Sequence, residues 1–319
     1  MDMLSTNSFL PRHEQWRLFY RKNRYAVHLS QEELNVRIQD LMINMTTLEE
    51  AGKLGLLSLQ EGGEQWWQLF THMLEETVLR YGPAPNGLEP WKNNEHNPLI
   101  NLSKELGHKA VKAMQAYDLK SKDVLIKYGS KKYMTALYES GVIKIRPASY
   151  YAQKENNYAI KDDELAIQVS LAFTKEKIDE FLDNTSQLPE HAAFFKYETH
   201  IKAKGDYWLY CLSKMPQNRM FVDFNADACV IIRNPKKFKK LLKEKTISKM
   251  GPYQFKETEY MDPLLPHTLK MNVPFTKHFS FSYQKEARFV WSPLKKVLSL
   301  EDIDVELGPL NDFADLITL

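Results

Sequence analysis

The chain has 319 residues, 26% of them charged and 43% hydrophobic, with a formal net charge of +2. Its 12 Gly and 15 Pro are too few for a fibrous or low-complexity chain, and its apolar fraction is too high for wholesale disorder. No stretch approaches ~18 uninterrupted apolar residues, the start MDMLSTNSFLPRHEQW has no apolar core behind a basic end, and Cys211 and Cys229 alone cannot build a disulfide framework or a four-thiolate zinc site, so a cytoplasmic protein with no membrane partner is expected.

The first ~80 residues read as helical. Ser30 and Glu33 fit a capping box that opens QEELNVRIQDLMINM, with Leu34, Ile38, Leu41 and Met42 on one face. Thr46 or Thr47 can cap a further segment near Leu54, Leu57 and Leu59. EQWWQLFTHMLEETVLRYG then sets Trp66, Leu69, Phe70, Met73, Leu74 and Val78 at helical spacing and stops at Gly82. Trp66 and Trp67 are expected to pack between helices. Residues 82–100, rich in Pro and Asn, show no period and read as a linker or long loop. NLSKELGHKAVKAMQAYDL, with Leu102, Leu106, Ala110, Ala113, Met114 and Tyr117 in its stripe, is one more helix.

After Asp118 the texture changes. VLIKYG, VIKIRPAS, ELAIQVSLAF, AFFKYETHIKA, DYWLYCLS, ACVIIR, YQFKETEYM, HFSFSY and ARFVW are strand candidates, interrupted by the helices SKKYMTALYESG and NPKKFKKLLKEK. The chain therefore reads as α+β: a helical domain over 1–118, then a domain over 119–319 with a largely antiparallel sheet and an acidic tail, the boundary lying between about 101 and 122.

Two stretches carry candidate chemistry. In residues 124–166 a strand, a Tyr-Gly-Ser turn, a helix ending at Gly141 and a second strand lead to a Tyr-, Asn- and Asp-rich loop. The turn at Gly129 and Ser130 presents backbone N–H groups to an anion, Lys127 and Arg146 flank it, and Tyr150, Tyr151 and Tyr158 offer flat faces to a ring. The bland alternative is an ordinary strand–helix–strand unit with a Tyr-rich surface loop. In residues 279–293 alternation puts Phe279, Phe281 and Tyr283 on one face, and Glu286 precedes a strand that carries Arg288 two positions on. A carboxylate beside a guanidinium can hold a ribose hydroxyl or stabilise a developing cation, or can be a surface pair worth under ~1 kcal/mol.

Together the two stretches resemble the ADP-ribosyltransferase-type folds, including a widespread group of bacterial proteins. The residues carrying the resemblance are Lys127, Tyr128, Ser130, Gly141, Pro147, Ser149, Tyr150, Asn157, Asp162, Asp163, Tyr283, Glu286 and Arg288, and CLSKMPQNRMFVDFNADACVIIRNPKKF is similar to that group's middle segment. It covers about residues 121–295. It implies that NAD is a substrate and that Glu286 is the catalytic carboxylate. Lys127, Tyr128, Ser130, Arg146, Ser149, Tyr150, Tyr151 and Arg288 would then surround NAD. Lys127 stands where this fold most often has His. The resemblance also implies a toxin or phage-defence role, with a neutralising antitoxin or chaperone as partner and a protein or nucleic acid as acceptor.

The net charge of +2 hides an uneven distribution. Residues 1–120 carry 13 basic and 15 acidic side chains, residues 121–300 carry 30 and 20, and residues 301–319 carry none and 6. Within the basic middle, IIRNPKKFKKLLKEKTISK gathers Arg233, Lys236, Lys237, Lys239, Lys240 and Lys243, either a solvated helix face or a contact for an RNA or DNA backbone. RNA is the favoured acceptor on this ground. A non-catalytic nucleic-acid-binding or scaffold protein is the alternative reading, and a magnesium nuclease built on Asp162, Asp163 and Glu164 a weaker one. His191 and His200 are nine apart with no acidic or Cys partner in register, so no metal site is expected. The acidic tail could lie against the basic face, dock a partner, or be a solvated end.

Overall fold

The computed structural model describes residues 10–49, 52–83, 105–115, 117, 123–153, 158–174, 194–295 and 299–319. Asn157, Leu102 and residues 84–100, most of the segment expected to be a linker or long loop, lie outside the described residues.

Helices α1 (Arg12–Lys22), α2 (Gln31–Met45) and α3 (Glu64–Tyr81) pack through Tyr20, Leu34, Ile38, Leu41, Leu69 and Met73. The α2 capping box forms as the sequence signals: Ser30 accepts the Glu33 N–H, and the Glu33 side chain accepts the Ser30 N–H. Buried carboxylates of α3 tie the helices together. Glu75 pairs with Arg17 and Arg21 at 2.5 Å each, while Glu76 takes Arg24 at 2.9 Å, Arg80 at 2.7 Å and the Tyr20 hydroxyl at 2.6 Å. Trp66 stacks on Phe279 and Trp67 donates to the Leu57 carbonyl. Thr46 and Thr47 do not open a further helix; Thr46 is instead the C-cap of α2, its N–H bonding the Met42 carbonyl. They open β1 (Thr46–Leu48), which pairs with β2 (Leu54–Leu56) in a short antiparallel hairpin, and Thr46 Oγ1 bonds back to the Met42 carbonyl.

The rest of the chain runs α4 (Glu105–Met114), β3 (Leu125–Gly129), α5 (Lys131–Ser140), β4 (Val142–Pro147), β5 (Ala166–Thr174), β6 (Phe194–Lys202), β7 (Trp208–Ser213), α6 (Arg219–Asp223), β8 (Ala228–Ile232), α7 (Pro235–Met250), β9 (Gln254–Glu257), β10 (Glu259–Met261), β11 (Thr276–His278), β12 (Glu286–Trp291), β13 (Ile303–Glu306) and β14 (Ala314–Thr318). The fold is α+β, and its main sheet is antiparallel in the order β13-β4-β7-β3-β8-β14, with β12 joined to β7 and then to β9. β7 is the branch point. One edge pairs with β12 over its full length; the other meets β4 at Trp208 and Leu209 and β3 only at Ser213. β3 and β4 therefore diverge over β7 and leave a gap.

The helices reach the sheet through specific polar joints. Arg37 of α2 forks onto Asp262 at 2.9 and 2.5 Å. Asn44 bonds the Phe279 carbonyl, Ser282 and the Tyr283 N–H, and Arg219 of α6 donates to the carbonyls of Ile43 and Thr46. The Asn44 contacts explain why HFSFSY is not the expected strand. Its backbone groups go to a side chain, and Phe279–Gln284 winds into a 3-10 turn that ends at Lys285, φ 45°. YQFKETEYM likewise splits, because β9 joins β12 while β10 pairs parallel with β11.

The acidic tail is neither a solvated end nor a free docking segment. β13 and β14 form the two outer strands of the sheet order, on β4 and β8. Between them the N–H groups of Leu307, Gly308 and Leu310 bond the carbonyls of Gly141, Ser140 and Tyr138, closing the C-terminus of α5. Gly141 sits at φ 67° as the left-handed cap, and a side chain there would strike the Gly308 backbone. Val305, Leu307, Leu310, Phe313 and Ile317 are buried. At about 1.5–3 kcal/mol each, their loss is comparable with a whole domain's stability of about 5–15 kcal/mol. Deleting residues 301–319 is therefore expected to abolish the cooperative thermal transition followed by circular dichroism, rather than merely to expose a basic surface.

Candidate functional site

The gap between β3 and β4 is a cavity of about 660 Å³ floored by β7 and the start of β12. That volume lies within the range of small-molecule sites. Strand alternation aims Cys211 and Ser213 of β7 and Glu286 of β12 to one side of the sheet; Tyr210 and Leu212, on the other, join the core and also line the cavity where it passes through the gap.

Glu286 is nearly buried, at 8% exposure, and lies at the cavity wall. Its carboxylate meets Arg288 at 3.2 Å and Lys277 at 3.5 Å, and its N–H donates to the Tyr260 hydroxyl at 2.8 Å. Burial alone would raise its pKa. Arg288, Lys277 and the Cys211 thiol outweigh that and hold it down to about 2, so the group is ionised at every physiological pH. Arg288 lies behind it, fully buried, and forks onto Glu164 at 2.7 and 2.8 Å. Lys277, 4% exposed, is shared by Asp162 at 3.8 Å, Glu164 at 3.5 Å and Glu286, and sits 4.4 Å from the Phe281 ring centre. Burial and the neighbouring Glu164 push Asp162 up to about 7 against the opposing pull of Lys277 and Arg288. Three carboxyls thus share two cations.

The opposite wall is aromatic and cationic. Lys127 reaches across from β3, donates to the Cys211 carbonyl at 2.8 Å and lies 4.7 Å from the Tyr210 ring centre. Burial lowers its pKa. The Arg146 guanidinium lies 3.8 Å from the Tyr150 ring centre, and Tyr150 meets Tyr151 edge-on. The Cys211 thiol lines the cavity too, where burial and Glu286 hold it protonated.

Of the residues selected from the sequence, Lys127, Tyr128, Arg146, Tyr150, Tyr151 and Glu286 meet around this cavity. Tyr128 does so from the far side: its ring packs edge-on against Phe221 and its hydroxyl accepts the Gln217 N–H. Ser130 caps the start of α5 outside the cavity, without a side-chain bond to the helix. Ser149 is tied to Asp206 through both its N–H and its hydroxyl. Arg288 supports Glu286 instead of facing the cavity. The basic residues of 233–243 lie apart, at and beyond the start of α7.

Sequence reading missed Lys277 and assigned Glu164 only to a hypothetical metal. Asp162 and Glu164 face the same way, but Lys277 and Arg288 take the place a cation would occupy; Asp163 instead accepts the Leu165 N–H. Among the described residues no group of three or more His, Cys, Asp or Glu side chains is arranged to hold a metal ion. A signal for Lys277 did exist. It is a lone cation between Phe275 and Phe279, and a Lys buried among rings needs a carboxylate partner.

A permanently ionised carboxylate facing a cavity with aromatic and cationic walls can stabilise positive charge that develops on a bound ring. Compared with protein-family models, curated proteins and solved structures, this chain matches none of them.

Proposed function

We propose that the cavity binds NAD and that the protein transfers ADP-ribose from it, with Glu286 as the catalytic carboxylate. The observation that carries the reading is the charge state and placement of Glu286, ionised and nearly buried at the wall of a cavity lined by Tyr150, Tyr151, Lys127 and Arg146. The resemblance of residues 121–295 to ADP-ribosyltransferases supports it. The residues present fit the ligand: Lys127 and Arg146 suit the pyrophosphate, and the tyrosines suit the nicotinamide ring.

In this reaction the bond between the nicotinamide nitrogen and ribose C1′ breaks. Its electron pair leaves with neutral nicotinamide, and the ribose becomes an oxocarbenium-like cation. The carboxylate of Glu286 stabilises that cation and holds a ribose hydroxyl. An acceptor nucleophile then bonds C1′ from the face opposite the leaving group and releases its proton.

NAD at a hundred times its dissociation constant is expected to stabilise the folded protein by about 2.7 kcal/mol, read as a rise in Tm. Lys127→Met should weaken that rise. No rise with NAD, together with no nicotinamide released when cell extract supplies acceptors, would sink the proposal.

A further inference from the structure

We propose that the outward stripe of α7 binds the phosphodiester backbone of duplex RNA. This surface does not depend on the NAD reading. One side of α7 enters the core through Phe238, Leu242, Thr246 and Met250, all buried. Lys236, Lys240 and Lys243, at i, i+4 and i+7, stand exposed on another side. They span about 10 Å of helix, a length that covers two to three phosphates of one strand.

The fold makes little use of these three charges. Arg233 is engaged by Asp315 at 3.0 Å and Lys237 by Asp312 at 3.7 Å, so the acidic tail neutralises the start of the run. Lys239 lies 3.6 Å from the Phe255 ring centre. Lys240 has only the exposed Glu244, at 4.0 Å, and Lys236 and Lys243 form no ion pair among the described residues. The first turn of α7 carries no acid, so lysines crowd the positive end of the helix dipole and repel one another at i,i+3 and i,i+4 spacing. A polyanion relieves both effects. An anionic bilayer fits less well, because the apolar side of the helix is spent on the core and cannot enter lipid. A single strand also fits less well, because Phe238 is the helix's one ring and it is buried, leaving α7 no stacking platform. Charge this concentrated suits the facing phosphates across the narrow A-form groove.

The test is fluorescence anisotropy with a labelled RNA duplex between about 50 and 200 mM salt. The triple variant Lys236→Gln, Lys240→Gln, Lys243→Gln should flatten the slope of log K against log salt by about 3 and weaken binding about tenfold or more at the higher salt. A control triple of exposed lysines elsewhere, Lys202→Gln, Lys204→Gln, Lys270→Gln, should leave the slope near the wild-type value. An unchanged slope in the first triple, an equal loss in the control, tighter binding to single strands or to the matching DNA duplex, or binding to phosphatidylserine vesicles in place of RNA would each overturn the proposal. Circular dichroism melts confirm that both triples are folded.

Discussion

Glu286→Gln is expected to slow nicotinamide release by about 10³-fold and to lower the melting temperature, because its pairs with Arg288 and Lys277 are lost, while the protein stays folded at the assay temperature. The amide preserves shape and removes the charge that faces the developing cation. It also takes away one of the carboxylates that keep Asp162 protonated near neutrality, so Asp162 should titrate lower in the variant, readable by NMR. A structural role alone would move stability and leave the rate largely intact. Full turnover by Glu286→Gln would mean that another group, or no group in this cavity, carries the chemistry.

Arg288→Met should produce the largest loss of stability from a single side chain, about 3–5 kcal/mol at pH 7. The guanidinium is fully buried and holds both Glu164 and Glu286; a thioether of similar length fills the space but leaves two carboxylates served by Lys277 alone. The pH dependence has a definite sign. Glu286 is depressed from 4.5 to about 2, so the stability it contributes is complete above pH 4.5 and is lost as pH falls through 2. In Arg288→Met burial raises the folded-state value of Glu286 instead, so the gap to wild type is full at neutral pH, begins to narrow above pH 4.5 as that raised carboxyl protonates, and closes near pH 2. Denaturant titrations at pH 7 and pH 3 check this. A constant gap would show that the loss comes from packing and not from unpaired charge.

Local features were legible in the sequence and long-range ones were not. The Ser30–Glu33 box, the stop at Gly82 and the helix end at Gly141 each depend on residues within one turn of the chain, and each forms as read. Short apolar runs, such as Leu125–Gly129 and Ala228–Ile232, were also visible as strands. HFSFSY alternates, yet Asn44, more than 230 residues earlier, redirects its hydrogen bonds. The candidate site divides in the same way. Glu286 and Arg288 sit two apart on one strand, whereas their partners Glu164 and Lys277 come from separate segments that only the tertiary fold brings together. Charge counting found the acidic tail but could not show that its acids, on or beside the outer strands, face Lys144, Arg146, Arg233 and Lys237.

The positions of β13 and β14 bear on how the protein is made. Synthesis releases the chain from its N-terminal end, so every other described strand emerges from the ribosome before the two that close the outer edges of the sheet. Until then β4 and β8 each present an open ladder of N–H and C=O groups, and the end of α5 lacks the three amides that cap it. A nascent chain in that state is prone to pair with its neighbours and lacks the finished wall of the cavity. Maturation of the site is in this way timed to two strands translated after all the other described ones.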